Sequence, residues 1–294
     1  MIRAPAVLVL VAAIAACRAP APVSPAAPPP APAPTAAASA APPAAPTTLA
    51  ELEAALASPD PERRDRVAYE TLSKQLLADG ALDDDAVAGL RDRLIARTAG
   101  ALAPGDAVFG RSFAALTLSV IAAREVARPI WTEAILDAQI AAASAYAARE
   151  LDLRGHTGTG GWAHAAAHTA DWLKFLARHP RLTAPQAVAI LDAVTGLVAR
   201  RHGARFSHGE DERLAAAARA VLRRGLIDDA AIDGWLGRVA DPLTAGWPDP
   251  FDPTLYAAQR NARDLLVSLF VALSFDDAPP AAAALARLRA FMSR

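Results

Sequence analysis

Residues 161–201 read GWAHAAAHTADWLKFLARHPRLTAPQAVAILDAVTGLVARR. Two apolar-periodic runs flank a short break, and the break carries its own chemistry. Thr183 and Gln186 have the spacing of a capping box, in which each side chain satisfies an orphan N–H at the start of a helix. Alanine and leucine favour helix on both sides and β-branched runs are scarce. The stretch predicts helices near 161–178 and 184–201 joined by a tight turn, one antiparallel pair.

The same unit recurs outward in both directions. Asp60-Pro61 and Asp252-Pro253 each place a capping acceptor before a first-turn proline. Ser207-x-x-Glu210 has capping-box spacing, and Gly80, Gly100, Gly203 and Gly225 stand where helices should stop. These signals predict further helices near 49–57, 61–78, 84–98, 107–124, 130–149, 209–224, 229–239, 254–274 and 279–292. Alternate starts at 61, 107, 161, 209 and 254 are about 45 to 54 residues apart, close to the helix-pair period of HEAT and armadillo arrays. The predicted fold is all-α: an α-solenoid of about five stacked antiparallel helix pairs. On the last long helix Leu265, Leu269 and Leu273 line one side and Val267, Phe270 and Val271 a second, a pattern that places this helix inside the stack. The aromatics of the 241–253 connection, Trp247 and Phe251, are expected to pin that loop onto it.

Residues 1–47 stand apart. Arg3, an apolar run over Ala4–Ala16 and the junction Ile14-Ala15-Ala16-Cys17 resemble the leader of bacterial lipoproteins, and the run is too short to span a bilayer. This predicts a signal peptide over 1–16, lipidation at Cys17, a Pro/Ala-rich tether over 17–47 and a helical domain over 48–294. The address it implies is the bacterial cell envelope, with a membrane as partner through a lipid anchor. Cys17 is the one cysteine, so an intrachain disulfide is excluded. The formal net charge of −1 gives no bulk drive toward a polyanion, and nucleic acid is not an expected partner.

The candidate site lies in 152–180, which holds four of the six histidines. On the predicted helix His164, His168 and Asp171 fall at i, i+4 and i+7 and share one face. Two imidazoles and a carboxylate suit zinc or a similar divalent metal, and an open coordination position would activate water for hydrolysis. Arg154 is placed to hold an anionic group, and Trp162, Arg111 and Glu212 are further candidate ligand-binding residues. Asp152, His156 and the His208–Glu212 pair are possible additional ligands. A structural reading competes with this one: the histidines hydrogen-bond within the stack, Asp171 orients His168 or pairs with Arg178, and Arg111 pairs with a carboxylate such as Asp106. The metalloprotease signature is absent, since Ala165 occupies the place of its general base. Glycine loops for phosphate and nucleophile elbows are absent too.

The segments SPDPERRDRVAYETL (58–72), FGRSFAAL (109–116), ELDLRG (150–155), GWAHAAAHTAD (161–171) and DERLA (211–215) together resemble the bacterial proteins grouped as DUF2785. The resemblance runs on through Asn261 and 266–273. It implies a helical, HEAT-like fold and supplies no activity. Taken together, the sequence leads to the expectation of a lipid-anchored module that binds a protein or peptide, with a metal-dependent hydrolase centred on His164, His168 and Asp171 as the alternative.

Overall fold

The structure is a computed structural model and describes residues 48–200 and 202–293. The expected leader, lipidated Cys17 and tether lie outside the described residues.

Among the described residues there are eleven α-helices and no strand. They are α1 (Leu49–Ala55), α2 (Glu70–Leu77), α3 (Asp84–Thr98), α4 (Ala107–Ala127), α5 (Glu133–Arg149), α6 (Ala165–Ala177), α7 (Ala184–Ala199), α8 (Glu210–Leu222), α9 (Asp229–Thr244), α10 (Pro253–Ser274) and α11 (Pro279–Met292). A wider-wound stretch, Glu62–Tyr69, runs directly into α2. The predicted stops and starts are built as the caps require. Asp83, Thr132, Asp228 and Asp252 each accept a first-turn N–H, and Thr183 forms its box with Gln186. The second predicted box is half built: Glu210 accepts from Ser207 N at 3.1 Å, while α8 starts after Gly209, whose φ of 82° a side-chain-bearing residue resists.

The helices form two rows. α2, α4, α6, α8 and α10 pack side by side in one, and α5, α7, α9 and α11 in the other, with α3 at its head. This is the expected solenoid-like stack, five pairs deep. Each of α3, α5, α7 and α9 leans on the first-row helix that follows it more than on the one that precedes it, which ties successive pairs together. The second row is uneven: α3 and α5 scarcely touch, whereas α5 packs closely on α7.

α6 is the middle of the first row, and every one of its residues is buried. α4 beside it is apolar enough to cross a membrane, but most of it is buried against its neighbours, as befits a core helix. At the far end the structure corrects the expectation for α10. Its Leu265, Leu269 and Leu273 side is buried, but Val267 and Val271 are exposed, because the helices around α10 cover only one side of it. Trp247 and Phe251 touch Tyr256 and each other, yet both remain exposed.

Candidate functional site

The predicted helix over 161–178 begins four residues late, and this changes what its histidines can do. Residues 154–164 fold back on themselves: Thr157 N donates to Gly161 O at 2.8 Å, Ala163 N to Gly155 O at 2.9 Å and His164 N to Arg154 O at 2.9 Å. Gly161 turns at φ 70°, and His164, at φ 51°, is the one described non-glycine residue with a positive φ. His164 is therefore the residue before α6, in left-handed backbone, and its imidazole leaves by a different route from a helical i position. Helical periodicity cannot reveal such a turn.

The three side chains go to separate partners. His164 Nε2 lies 3.1 Å from His208 O and 3.4 Å from Glu210 Oε1, and Trp162 stacks on its ring with centroids 4.7 Å apart. Burial pushes the Glu210 carboxyl up, but the His164 imidazole and the His208 N–H outweigh it and hold the group below its ordinary value. His168 Nδ1 lies 2.7 Å from Ser112 Oγ, and that hydroxyl also meets Ala163 O. A serine has one proton, and the carbonyl can only accept, so Ser112 donates to Ala163 O and His168 donates from Nδ1. The lone pair is then on Nε2. Burial, followed by the nearby His164 and Arg213 side chains, drives the His168 pKa well below the ordinary imidazole value and keeps the ring neutral. Asp171 takes Lys174 Nζ on Oδ1 at 2.6 Å and Arg213 on Oδ2, not Arg178. Among the described residues no group of three or more His, Cys, Asp or Glu side chains converges to hold a metal ion. The Ser112–His168 contact has the form of a nucleophile and base, but Ser112 is fully buried and its proton is spent on a carbonyl. It clasps α4, α6 and the preceding loop together.

Arg111 is part of a second buried joint. Its Nε donates to Glu150 Oε2 at 2.6 Å and its Nη2 to Glu150 Oε1 at 3.0 Å, a bidentate pair in place of the expected Asp106. Glu150 Oε1 also accepts from Leu151 N and Asp152 N, both at 3.0 Å. FGRSFAAL and ELDLRG are thus two halves of one clamp. A third cation, Arg64, is fully buried over the rings of Phe109 at 4.0 Å and Phe113 at 4.7 Å and donates to Gly160 O at 2.8 Å. It pins the glycine loop to the first pair.

The other expected residues lie in the loops before α6 and α8 and in the first turn of α8, with His156, His164 and His208 gathered around Trp162. Arg154 is exposed and forked onto Asp152 at 2.8 and 2.6 Å. His156 and His208 are exposed and meet Trp162 edge-on, with centroids 4.9 and 5.7 Å away. Glu212 is exposed in the first turn of α8.

A feature that the periodicity does not reveal is a cleft of about 240 Å³ where α3 and α5 part. Ile121, Arg124, Glu125 and Arg128 on α4 contribute its lining together with Val87, Arg91, Trp131 and Ile135. Glu125 is buried. Its Oε1 accepts from Trp131 N at 2.7 Å and stands 3.3 Å from His179 Nε2, while Trp131 stacks on the His179 ring at 6.1 Å. Arg124 is fixed by Leu76 O at 3.1 Å, Leu82 O at 3.2 Å and Asp84 at 3.0 Å, and Arg128 also binds Asp84. Ile130, at the rim, is 52% exposed. The cleft therefore has a rigid floor, apolar walls and charges of both signs. Its sequence trace is REVARPIW at 124–131, where an apolar helix ends in closely spaced charges before a tryptophan.

A family model described as protein of unknown function (DUF2785) matches residues 103–271. No curated protein and no solved structure matches the chain. The matched span runs from α4 almost to the end of α10 and includes the glycine loop, α6 and the cleft floor; the 58–72 segment lies before it.

Proposed function

The chain belongs to the DUF2785 family, and we propose that it is a helical-repeat binding module that takes a protein or peptide segment in the cleft between α3 and α5. The observation that carries this reading is the open cleft itself, whose polar floor is already held by internal partners beneath apolar walls. In the histidine-rich segment His164, His168 Nδ1, Asp171 and His179 are each taken by internal partners, while Trp172 Nε1 is left without one among the described residues. In the cleft a rigid floor of Arg124 and Glu125 lies beneath apolar walls and an exposed Ile130. A preorganised apolar notch with a charged margin suits the anchor side chain of a partner, with nearby charges setting its register. Metal-dependent hydrolysis draws no comparable support, because His164, His168 and Asp171 point to different partners.

The proposal extends to the cell envelope, with Cys17 lipidated and the domain held outside the cytoplasm. It rests on the Ile-Ala-Ala-Cys junction and the proline-rich run that follows it.

A photo-crosslinking residue substituted for Ile130 in living cells tests the binding site. One discrete adduct, lost when Trp131 is replaced by Ala and retained when the remote Asp241 is replaced, is the expected result. Adducts from Glu212 or His208 positions with none from Ile130 would move the site from the cleft to the start of α8. Cys17→Ser should transfer the protein from the membrane to the soluble fraction; unchanged membrane association would refute the anchor.

A further inference from the structure

The outward face of α10 presents an apolar stripe where a packed helix should be polar. Val267 is 45% exposed, Val271 50% and Phe275, just past the helix end, 81%. They recur at i, i+4 and i+8, one row on the helix surface. The same row begins with Arg263, one turn earlier, and ends beside Asp277. Both of these charges are exposed, and neither makes an ion pair or hydrogen bond among the described residues. The neighbouring carboxylate, Asp276, is by contrast buried and taken by Arg219 at 2.6 Å and Arg223 at 3.2 Å. Asp264, one residue from Arg263, is likewise taken, by Arg205 and Arg260. The stripe is thus bracketed by one free cation and one free anion, whereas the neighbouring carboxylates Asp264 and Asp276 are taken.

We propose that this stripe is the contact between two copies of the chain, paired antiparallel through α10. A two-fold axis passing near Leu269 sets Val267 of one copy opposite Val271 of the other. It also brings Arg263 level with Phe275 of the second copy, within one helical turn of that copy's Asp277. Apolar residues meet apolar residues, and each free cation meets a ring face and a free anion, at both ends at once. Such self-complementarity is what a two-fold interface requires, since every contact is made twice. A partner of uniform charge would match one end of the stripe and be repelled at the other. α10 has α7, α8, α9 and α11 against its buried side, and the stripe is left for a second molecule. Three side chains and their margins fall short of the roughly 800 Å² per partner of a standard interface. The association is therefore weak and dependent on concentration.

Sedimentation velocity over a concentration series tests this on the full chain carrying Cys17→Ser, so that neither a lipid nor an adventitious disulfide contributes. A monomer–dimer equilibrium is expected. Arg263→Asp alone and Asp277→Arg alone should each weaken it at least tenfold, and the two together should restore it, since the swapped charges again face each other. Both positions are exposed and unpaired, so helix content should stay unchanged in all three variants. In the same background, mixing Val267→Cys copies with Val271→Cys copies should give disulfide dimers faster than either alone. A chain monomeric throughout the series overturns the proposal. So does a dimer indifferent to the single reversals, or one that the double reversal fails to restore.

Discussion

Replacing Glu150 by Ala removes both carboxylate oxygens from the Arg111 guanidinium and leaves that cation buried. The side chains of the pair are 5% and 2% exposed, so water cannot take over as partner. Arg111 would keep only Ala101 O and Ala107 O, each at 3.2 Å, and the Leu151 and Asp152 N–H groups would lose their acceptor. Breaking a buried pair from one side costs about 3 to 5 kcal/mol, most of it from stranding the remaining charge. Glu150→Ala and Arg111→Met should each lose that much in urea unfolding followed by far-ultraviolet circular dichroism. The double variant should lose far less than the sum, giving a coupling of about 2 kcal/mol or more in a double-mutant cycle. Losses below about 1 kcal/mol that simply add would refute the clamp. They would also return Arg111 to the residues available for a ligand.

Two pH effects and one substitution follow from the other buried charges. Burial pushes the Asp65 carboxyl up to about 6, ahead of the opposing pull of Arg64; Nε lies 2.8 Å from Oδ1, but the contact lacks hydrogen-bond alignment. An acid whose folded pKa exceeds its unfolded value of 3.8 stabilises the fold most below that value and loses the contribution as pH rises to 6. Asp65→Asn should flatten this slope in melts between pH 4 and 6.5 and raise stability at pH 7 by about 1 kcal/mol, screening at a side chain 30% exposed having reduced the full shift. His168 has the opposite pH dependence. Its folded pKa lies below the unfolded value of 6.5, so its contribution is complete above 6.5 and is lost as pH falls; His168→Asn should remove about one proton from the acid unfolding slope. Arg64→Lys should destabilise by about 2 kcal/mol, because a point charge cannot fork onto Ser58 O and Gly160 O while covering two rings.

Much of the fold was legible in the sequence because its signals are local. Thr183 with Gln186, and Asp252 before Pro253, act within one turn of where they stand, and the five-pair count followed from such punctuation. The site was not legible, because its partners are remote. Arg111 and Glu150 are 39 residues apart, Asp171 and Arg213 42, and Arg64 and Gly160 96. Apolar spacing places His164 on the helix, because its positive φ leaves no trace in that spacing. The same spacing places Val267 and Val271 in the core, because a helix apolar on two sides does not reveal which side its neighbours cover. The cleft depends on how far α3 stands from α5, which is a property of packing alone.

The claim that the histidine-rich segment holds the stack together, while binding takes place elsewhere, is tested most directly by imidazole nitrogen NMR of the full chain with and without one equivalent of zinc. The expected result is a His168 that stays neutral, with its proton on Nδ1, well below the ordinary imidazole range, and His164 and His168 signals that zinc leaves unchanged. A large zinc-induced shift at His168 Nε2 together with a His164 nitrogen would contradict it and bring the metal site back.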